Sequence, residues 1–468
     1  MLTSLRLRNF KGWKDTGNIN MSPITLFFGA NSSGKSSIGQ LLMMLKQTME
    51  SPDRKAVFFP GDIHSAVQLG SYQEMVYRRN LENRISFSYK WGLSSQLKFK
   101  DALSGTNYAA DQVQFSATIG LEGTHSKEVY VEEFKYMLST EAQEILSTAM
   151  KRTQDKKHKY HVTAEHYSLK RNQGRAWSPG APVRFYGFPD EVVAYHQNAE
   201  FVQNLNLQHE LLFKSLFYLG PLRTKTARLY SWSGITPASV GYSGENTVAA
   251  ILASHGRKIS FGYRKKLKPL EQIVAESLKS MGLIEGFKVN PISEQRQDYE
   301  VKLRTRGSKD WVDLPDVGFG ISQVLPVSVQ CFYAPPGSII LMEKPEIHLH
   351  PSAQSALADV MIDVIKSREN GKERNIQLII ETHSEHFLRR LQRRIAEGAV
   401  SQEKVSAYFA NIAKTPATLE PLQIDIFGNV QNWPDKFFGN EMGDITEQAK
   451  AAIKKRMQMK ADDSEVSE

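Results

Sequence analysis

Eight consecutive residues, Gly29-Ala30-Asn31-Ser32-Ser33-Gly34-Lys35-Ser36, have the composition of a loop that wraps a phosphate. The glycines let successive backbone N–H groups turn toward one anion, and a lysine and a hydroxyl follow at once. In this Walker A arrangement Gly29, Asn31, Ser32, Ser33, Gly34, Lys35, Ser36 and Ser37 are candidate nucleotide-binding residues. Lys35 is expected at the β- and γ-phosphates, and the Ser36 hydroxyl is a ligand for Mg2+. A second segment, Ser338-Ile339-Ile340-Leu341-Met342-Glu343-Lys344-Pro345-Glu346, is an apolar run ending in a carboxylate. P-loop proteins hold their Mg2+ shell this way, which makes Glu343 the second metal candidate. A third, Glu381-Thr382-His383-Ser384, follows the apolar run 376–380. A histidine at such a strand tip could touch a γ-phosphate or hold the attacking water. His348 and His350 also invite a metal reading, but they lie two residues apart in a turn with no further ligands at metal spacing.

These residues need particular elements to position them. Residues 2–10 alternate like a strand and 24–28 form a second apolar run; beyond the loop, Ile38, Leu41, Leu42 and Leu45 recur at helical spacing. The order is therefore strand, loop, helix. Short strands are expected at 84–89, 96–100, 112–119 and 129–134, separated by Gly, Asn and Ser turn signals. From 139 to 173 the chain turns polar, with Lys156, Lys157 and Lys159 close together, and reads as a solvated helix face or loop. Residues 192–217 read as one long helix feeding a short strand at 217–219. The last third alternates again, with helices at 321–332, 353–367 and 385–396 around buried strands at 338–342 and 376–380. The expected organisation is an N-terminal lobe (1–138), a basic, helical insertion (139–215), a C-terminal lobe (216–400) and an extension with a charged, helix-prone tail (401–468).

Composition sets the outer bounds. Of 468 residues 41% are hydrophobic and 23% charged, which excludes disordered and collagen-like chains. Cys331 is the only cysteine, so neither a disulfide framework nor a Cys-based zinc site is available. No apolar stretch reaches about 18 residues, and the first twenty lack a signal peptide's apolar segment. A cytoplasmic protein without a membrane partner is expected. The net charge of +9 permits nucleic-acid contact without requiring it.

Arg8-Asn9-Phe10-Lys11 before the loop, Pro345-Glu346-Ile347-His348-Leu349-His350-Pro351 after the second segment, and Thr382-His383-Ser384 occur in one order. Together with the phosphate loop they resemble the ABC-type ATPase heads of the RecF, SMC and OLD class. The resemblance covers roughly 1–50 and 215–400. It implies an α/β P-loop NTPase of ABC-head type, two lobes with a β-rich, partly helical insertion, binding ATP with Mg2+. It also implies a homodimer that sandwiches ATP between the phosphate loop of one head and the signature motif of the other. Asp316-Val317-Gly318-Phe319-Gly320-Ile321-Ser322-Gln323 sits where that signature falls, which assigns Gly320, Ser322 and Gln323 to the partner's nucleotide, although it departs from Leu-Ser-Gly-Gly-Gln. For the class's Q-loop glutamine both Gln68 and Gln73 qualify. Heads of this class place a water-activating carboxylate where this chain has Lys344; Glu346 is the substitute, so Glu343, Glu346 and His383 are the candidate catalytic set, and slow hydrolysis is expected.

Neither coiled-coil arms nor a C-terminal nuclease domain of OLD type is expected, since no heptad stretch is long enough for the first and only 68 residues follow Val400 here. Asn432-Trp433-Pro434 and Phe437-Phe438 resemble the end of stand-alone bacterial ATPases, such as those of the Septu, PARIS and retron-associated antiphage systems. That resemblance implies a separate nuclease or toxin effector and no nuclease activity in this chain. The alternative is a RecF-like DNA-repair ATPase, for which Arg264-Lys265-Lys266, Arg389-Arg390 and Arg393-Arg394 offer cations to phosphates. A transporter's ATP-binding subunit fits poorly, because the β-rich middle is too large and the signature too divergent.

Overall fold

The computed structural model describes residues 1–468 except 124–127, 142, 154–158, 175–177, 263–264, 294–295, 412–415, 435–436, 439–440 and 466–468. Lys156, Lys157 and Arg264 lie outside the described residues. The chain opens with β1 (Leu2–Phe10), then β2 (Ile24–Gly29), which runs into the phosphate loop and helix α1 (Lys35–Glu50). Five long strands follow, β3 (Ile85–Lys100), β4 (Asn107–Glu122), β5 (Glu128–Thr140), β6 (Gln143–Arg152) and β7 (Tyr160–Glu165). They extend β1 into an eight-stranded antiparallel sheet together with the short strands Trp13–Asp15 and Ile19–Asn20.

The strands β6 and β7 correct the expectation of a polar helix or loop between 139 and 173. Their polar side chains are used across the sheet: Lys135 on β5 pairs with Glu165 on β7 at 2.8 Å, and Lys151 on β6 with Glu133 on β5 at 3.4 Å. The single helix expected over 192–217 is also interrupted. A short helix, Asp190–Tyr195, stops before α2 (Phe201–Lys214) begins. The break is held by tertiary polar contacts, with the Asn198 amide donating to Asp101 and to the Ser168 carbonyl while accepting from the Lys170 N–H.

The phosphate loop leaves a second sheet. Its strands are β2, β8 (Leu216–Leu219), β9 (Ile339–Glu343), β10 (Gln377–Glu381), β11 (Val405–Asn411) and β12 (Thr418–Pro421), in spatial order β8-β9-β10-β2-β11-β12. All neighbours are parallel except β11 and β12. Both faces are covered, which explains the unbroken apolar runs of β9 and β10. Ile339, Leu341 and Ile379 face one core shared with α1, α2 and the antiparallel sheet. Ile340, Met342 and Ile380 face another, formed with α3 (Thr247–Ala253), α4 (Phe319–Tyr333), α5 (Pro351–Lys366) and α6 (Glu385–Ala396). A final helix, α7 (Glu441–Glu465), ends the described chain. Among the described residues no helix is long and apolar enough to cross a membrane.

Candidate nucleotide site

Parallel strands bring their C-terminal ends to one edge, and that edge carries the three sequence segments. The register aligns Glu343 of β9 with Glu381 of β10, and Glu381 with Phe27 of β2, two residues before the phosphate loop. The loop itself needs backbone that few residues adopt. Gly34 has φ 88°, and a Cβ there would meet the indole of Trp13 at 3.2 Å. Gly29 has φ 143°, and a Cβ there would sit 2.6 Å from the Ala410 carbonyl of β11. Trp13 is fully buried beneath the loop, its indole N–H donating to the Gly34 carbonyl at 3.1 Å and to Ser37 at 2.9 Å.

Lys35 folds back over this loop. Its ammonium donates to the carbonyls of Gly29 at 2.9 Å and Ala30 at 2.7 Å, and to the Ser33 hydroxyl at 3.2 Å. Burial lowers its pKa, with Glu381 opposing and Lys344 reinforcing the shift. The loop opens into a cavity of about 440 Å3. Asn31 through Ser37 line it, and so do Lys11, Lys344 and Glu381, which the sequence did not count among the nucleotide-binding residues, and Gln40, which it did not single out at all. The Lys11 ammonium donates to the Gln40 side chain at 2.8 Å, closing one end of the cavity. Gln68 and Gln73, the expected Q-loop candidates, are both exposed and do not line it. Gln40 has no linear signal beyond its place on α1.

Behind the cavity lies a carboxylate cluster. Glu343 is 7% exposed and accepts a hydrogen bond from Tyr218 of β8 at 2.9 Å. Burial first, and the neighbouring charge of Glu381 second, push its carboxyl up to about 7. Glu346 is also buried; one of its oxygens accepts the His383 N–H at 2.8 Å, and the other has no partner. Burial raises its pKa too. His383 is driven down to about 4, by burial and then by the charges of Lys35 and Lys344, so its ring is neutral at physiological pH. Its Nε2 is buried without a partner, as is one oxygen of Glu381. The Ser36 hydroxyl and Glu381, one of whose oxygens is unpaired, line the same cavity, and hard oxygen donors of this kind suit Mg2+. No group of three or more His, Cys, Asp or Glu among the described residues could hold a metal without help. Mg2+ on this edge would thus be shared between Ser36, the strand-end carboxylates and phosphate oxygens, supplying positive charge to the phosphates.

Arg223 is a residue that sequence reasoning missed. It sits on the loop leaving β8, with all three guanidinium nitrogens buried and unpartnered. Burial lowers its pKa to about 10, while Tyr218, Glu343 and Glu346 act in the opposite sense. No motif or periodicity marks the segment after the short strand at 217–219, so nothing local in the sequence singles Arg223 out.

The signature residues lie elsewhere. Gly318 caps α4, and Ser322 in the second turn donates to the Phe319 carbonyl at 2.7 Å. A Cβ on Gly320 would meet the His348 carbonyl at 2.8 Å. Gln323 is buried beside Ser322, at 3.4 Å from its hydroxyl. None of these residues lines the nucleotide cavity of its own chain. The two remaining histidines have local work: His350 caps α5 by accepting from the Ser352 N–H, and His348 stacks edge-on against Phe319.

A glycine-rich loop between a buried parallel strand and a helix, facing strand-end carboxylates, defines a P-loop nucleotide site. The chain belongs to the AAA ATPase domain family (AAA_15), which it matches over residues 1–210 and 248–388. Residues 400–448 match a further family of unknown function, DUF3696. No curated protein matches the sequence. Solved structures similar to this chain include an SMC head bound to the C-terminal winged-helix domain of ScpA, at 10% identity and TM-score 0.43, covering 90% of this chain and 98% of that one. They also include the SMC head domain of Thermotoga maritima, at 10% identity and TM-score 0.41, covering 90% and 99%. A third is the Pyrococcus furiosus Smc head with an extended coiled coil, bound to the C-terminal domain of ScpA, at 9% identity and TM-score 0.40, covering 90% and 96%.

Proposed function

We propose that the protein binds Mg-ATP in the cavity at Asn31–Ser37, dimerises around it, hydrolyses it slowly and thereby controls a separate effector protein, a nuclease or toxin. The observation that carries the dimer is the position of the signature. The N-terminus of α4, with Gly320 and Ser322, is a ready anion site that contributes nothing to its own chain's cavity. A second head would bring it to the open side of the nucleotide. Slow turnover follows from Lys344, which cannot take a proton from water while charged. Glu346 is the remaining base: water attacks the γ-phosphorus, the bond to the β-phosphate oxygen breaks, and the proton of the water passes to the free Glu346 oxygen. His383, neutral and with an unpaired Nε2, orients the γ-phosphate or the water.

The repair-ATPase alternative draws less support. Arg389 and Arg393 on α6 pair with Glu385 and Glu397 at 3.1 and 2.6 Å, and Arg390 and Arg394 with Asp359 at 2.8 and 2.7 Å. Cations already paired within the fold have less to offer a phosphate backbone. Site-specific cross-linking between heads tests the proposal. Ser322→Arg is expected to keep ATP binding and lose ATP-dependent closure; closure that persists in this variant would show that α4 does not face the partner's nucleotide.

A further inference from the structure

Lys344 is the position at which the chain departs most sharply from the class it resembles, and three observations give that departure a use. First, the residue takes a left-handed backbone conformation, φ 47°, which a side chain with a Cβ adopts only at a cost. The conformation is locked: its N–H donates to the Glu381 carbonyl at 2.8 Å, and its carbonyl accepts from the Ile347 N–H at 3.1 Å. Such strain is retained where the surrounding structure over-determines it, and it concentrates at functional sites. Second, the side chain lines the same cavity as Lys35 and Ser36. Third, its ammonium makes no hydrogen bond or ion pair with any described residue, although Glu343, Glu346 and Glu381 all lie in its neighbourhood. Lys344 thus shares one cavity with Lys35 and with Lys11, whose ammonium is engaged by Gln40, and it stands near enough to weaken the hold of Lys35 on its proton. Like charges held together around an empty space are a site for a polyanion.

Resting on the reading of this cavity as the ATP site, we propose that Lys344 is a second phosphate-binding cation, placed at the terminal phosphate, with which the site holds a nucleoside triphosphate largely without Mg2+. In most P-loop sites the metal supplies the positive charge that makes a triphosphate tolerable beside two carboxylates. Here an ammonium tethered one residue beyond Glu343 supplies part of that charge permanently. It stands close to Glu343, Glu346 and His383 as well as to Lys35, so it also offsets the carboxylates against the incoming anion. A cation fixed to the protein is present whether or not metal is bound. Its contact falls on the phosphate that ADP lacks, so it favours the triphosphate over the diphosphate.

The test is calorimetric titration of ATP and ADP into the full chain, once with excess Mg2+ and once with EDTA. The proteins are wild type, Lys344→Met and Lys344→Arg, matched by thermal melting. Wild type is expected to lose less than about tenfold in ATP affinity when Mg2+ is removed. Lys344→Met is expected to lose roughly tenfold to hundredfold more in EDTA, with ADP affinity little changed, and Lys344→Arg should recover most of the loss. An equal effect of Lys344→Met on ATP with and without Mg2+, or on ATP and ADP alike, would overturn the role assigned to Lys344 while leaving the nucleotide site standing. Failure of wild type to bind ATP under either condition would instead remove the reading on which the proposal rests.

Discussion

Replacing Glu343 with Gln should move stability and metal-dependent binding in opposite directions. The carboxyl is held at about 7 against an ordinary 4.5, because burial and Glu381 disfavour its charge. That difference corresponds to roughly 3 kcal/mol of disfavoured ionisation once the pH is well above 7. The sign follows from the raised folded value. Between about 4.5 and 7 the folded chain keeps a proton that the unfolded chain has released. The contribution of this group is therefore fully present below about 4.5, falls as pH rises, and is lost above about 7. Gln carries no charge and can still accept from the Tyr218 hydroxyl, which lies 2.9 Å from the wild-type oxygen. Glu343→Gln should accordingly stabilise the nucleotide-free protein by up to about 3 kcal/mol at pH 8, and by roughly 1 kcal/mol or less at pH 5. The same substitution removes an anionic Mg2+ ligand and should weaken ATP binding in Mg2+. Urea denaturation at the two pH values, paired with ATP titration, measures both halves. A variant that is equally or less stable at pH 8, and that binds Mg-ATP like wild type, would refute the assignment of Glu343 as a strained, buried metal ligand.

The other predictions address different parts of the site. At ATP and Mg2+ concentrations that saturate each protein, Lys344→Glu should raise steady-state phosphate release although it binds ATP more weakly, and Glu346→Gln should abolish release; brisk wild-type turnover that Glu346→Gln leaves unaffected would remove Glu346 as the base. Trp13→Phe keeps an aromatic side chain but loses the indole N–H and its hydrogen bonds to Gly34 and Ser37, so ATP binding should weaken by about 1–3 kcal/mol, read by titration. Arg374 is fully buried, donates to the carbonyls of Cys331, Phe332 and Ala334 at the end of α4, and pairs with Glu369 at 3.4 Å. Arg374→Met should therefore cost about 3–5 kcal/mol in chemical denaturation, with any ATP binding that survives unchanged in affinity.

Much of the site was legible because its signals are local. Gly29 through Ser36 declare a phosphate loop by composition alone, and β9 and β10 read as strands because both faces of a parallel strand are buried. The misses share a different cause. Strands β6 and β7 look like a solvated segment, since the ion pairs of Lys151 and Glu165 are made across the sheet to β5, beyond the reach of a local sequence pattern. The helix break near Asn198 depends on Asp101, about a hundred residues away. Glu381 was visible as a residue, but its importance comes from the register that sets it beside Glu343. Arg223 reaches the site through a chain return that no periodicity announces, and Gln40, although on α1, is marked by nothing but its contact with Lys11. Chemistry carried on one strand end was readable; chemistry assembled between strand ends needed the fold.

The central claim is that Asn31–Ser37 holds ATP through Lys35. Calorimetric titration of ATP with Mg2+ into wild type and Lys35→Ala tests it most directly. The ammonium now satisfies the Gly29 and Ala30 carbonyls and would exchange them for phosphate oxygens, in charge-assisted contacts worth roughly 1.5–3 kcal/mol each. Saturable binding by wild type, near one nucleotide per chain, with a loss of at least about tenfold in Lys35→Ala, is the predicted result. Equal affinity in the two proteins, or no binding by wild type, would contradict it.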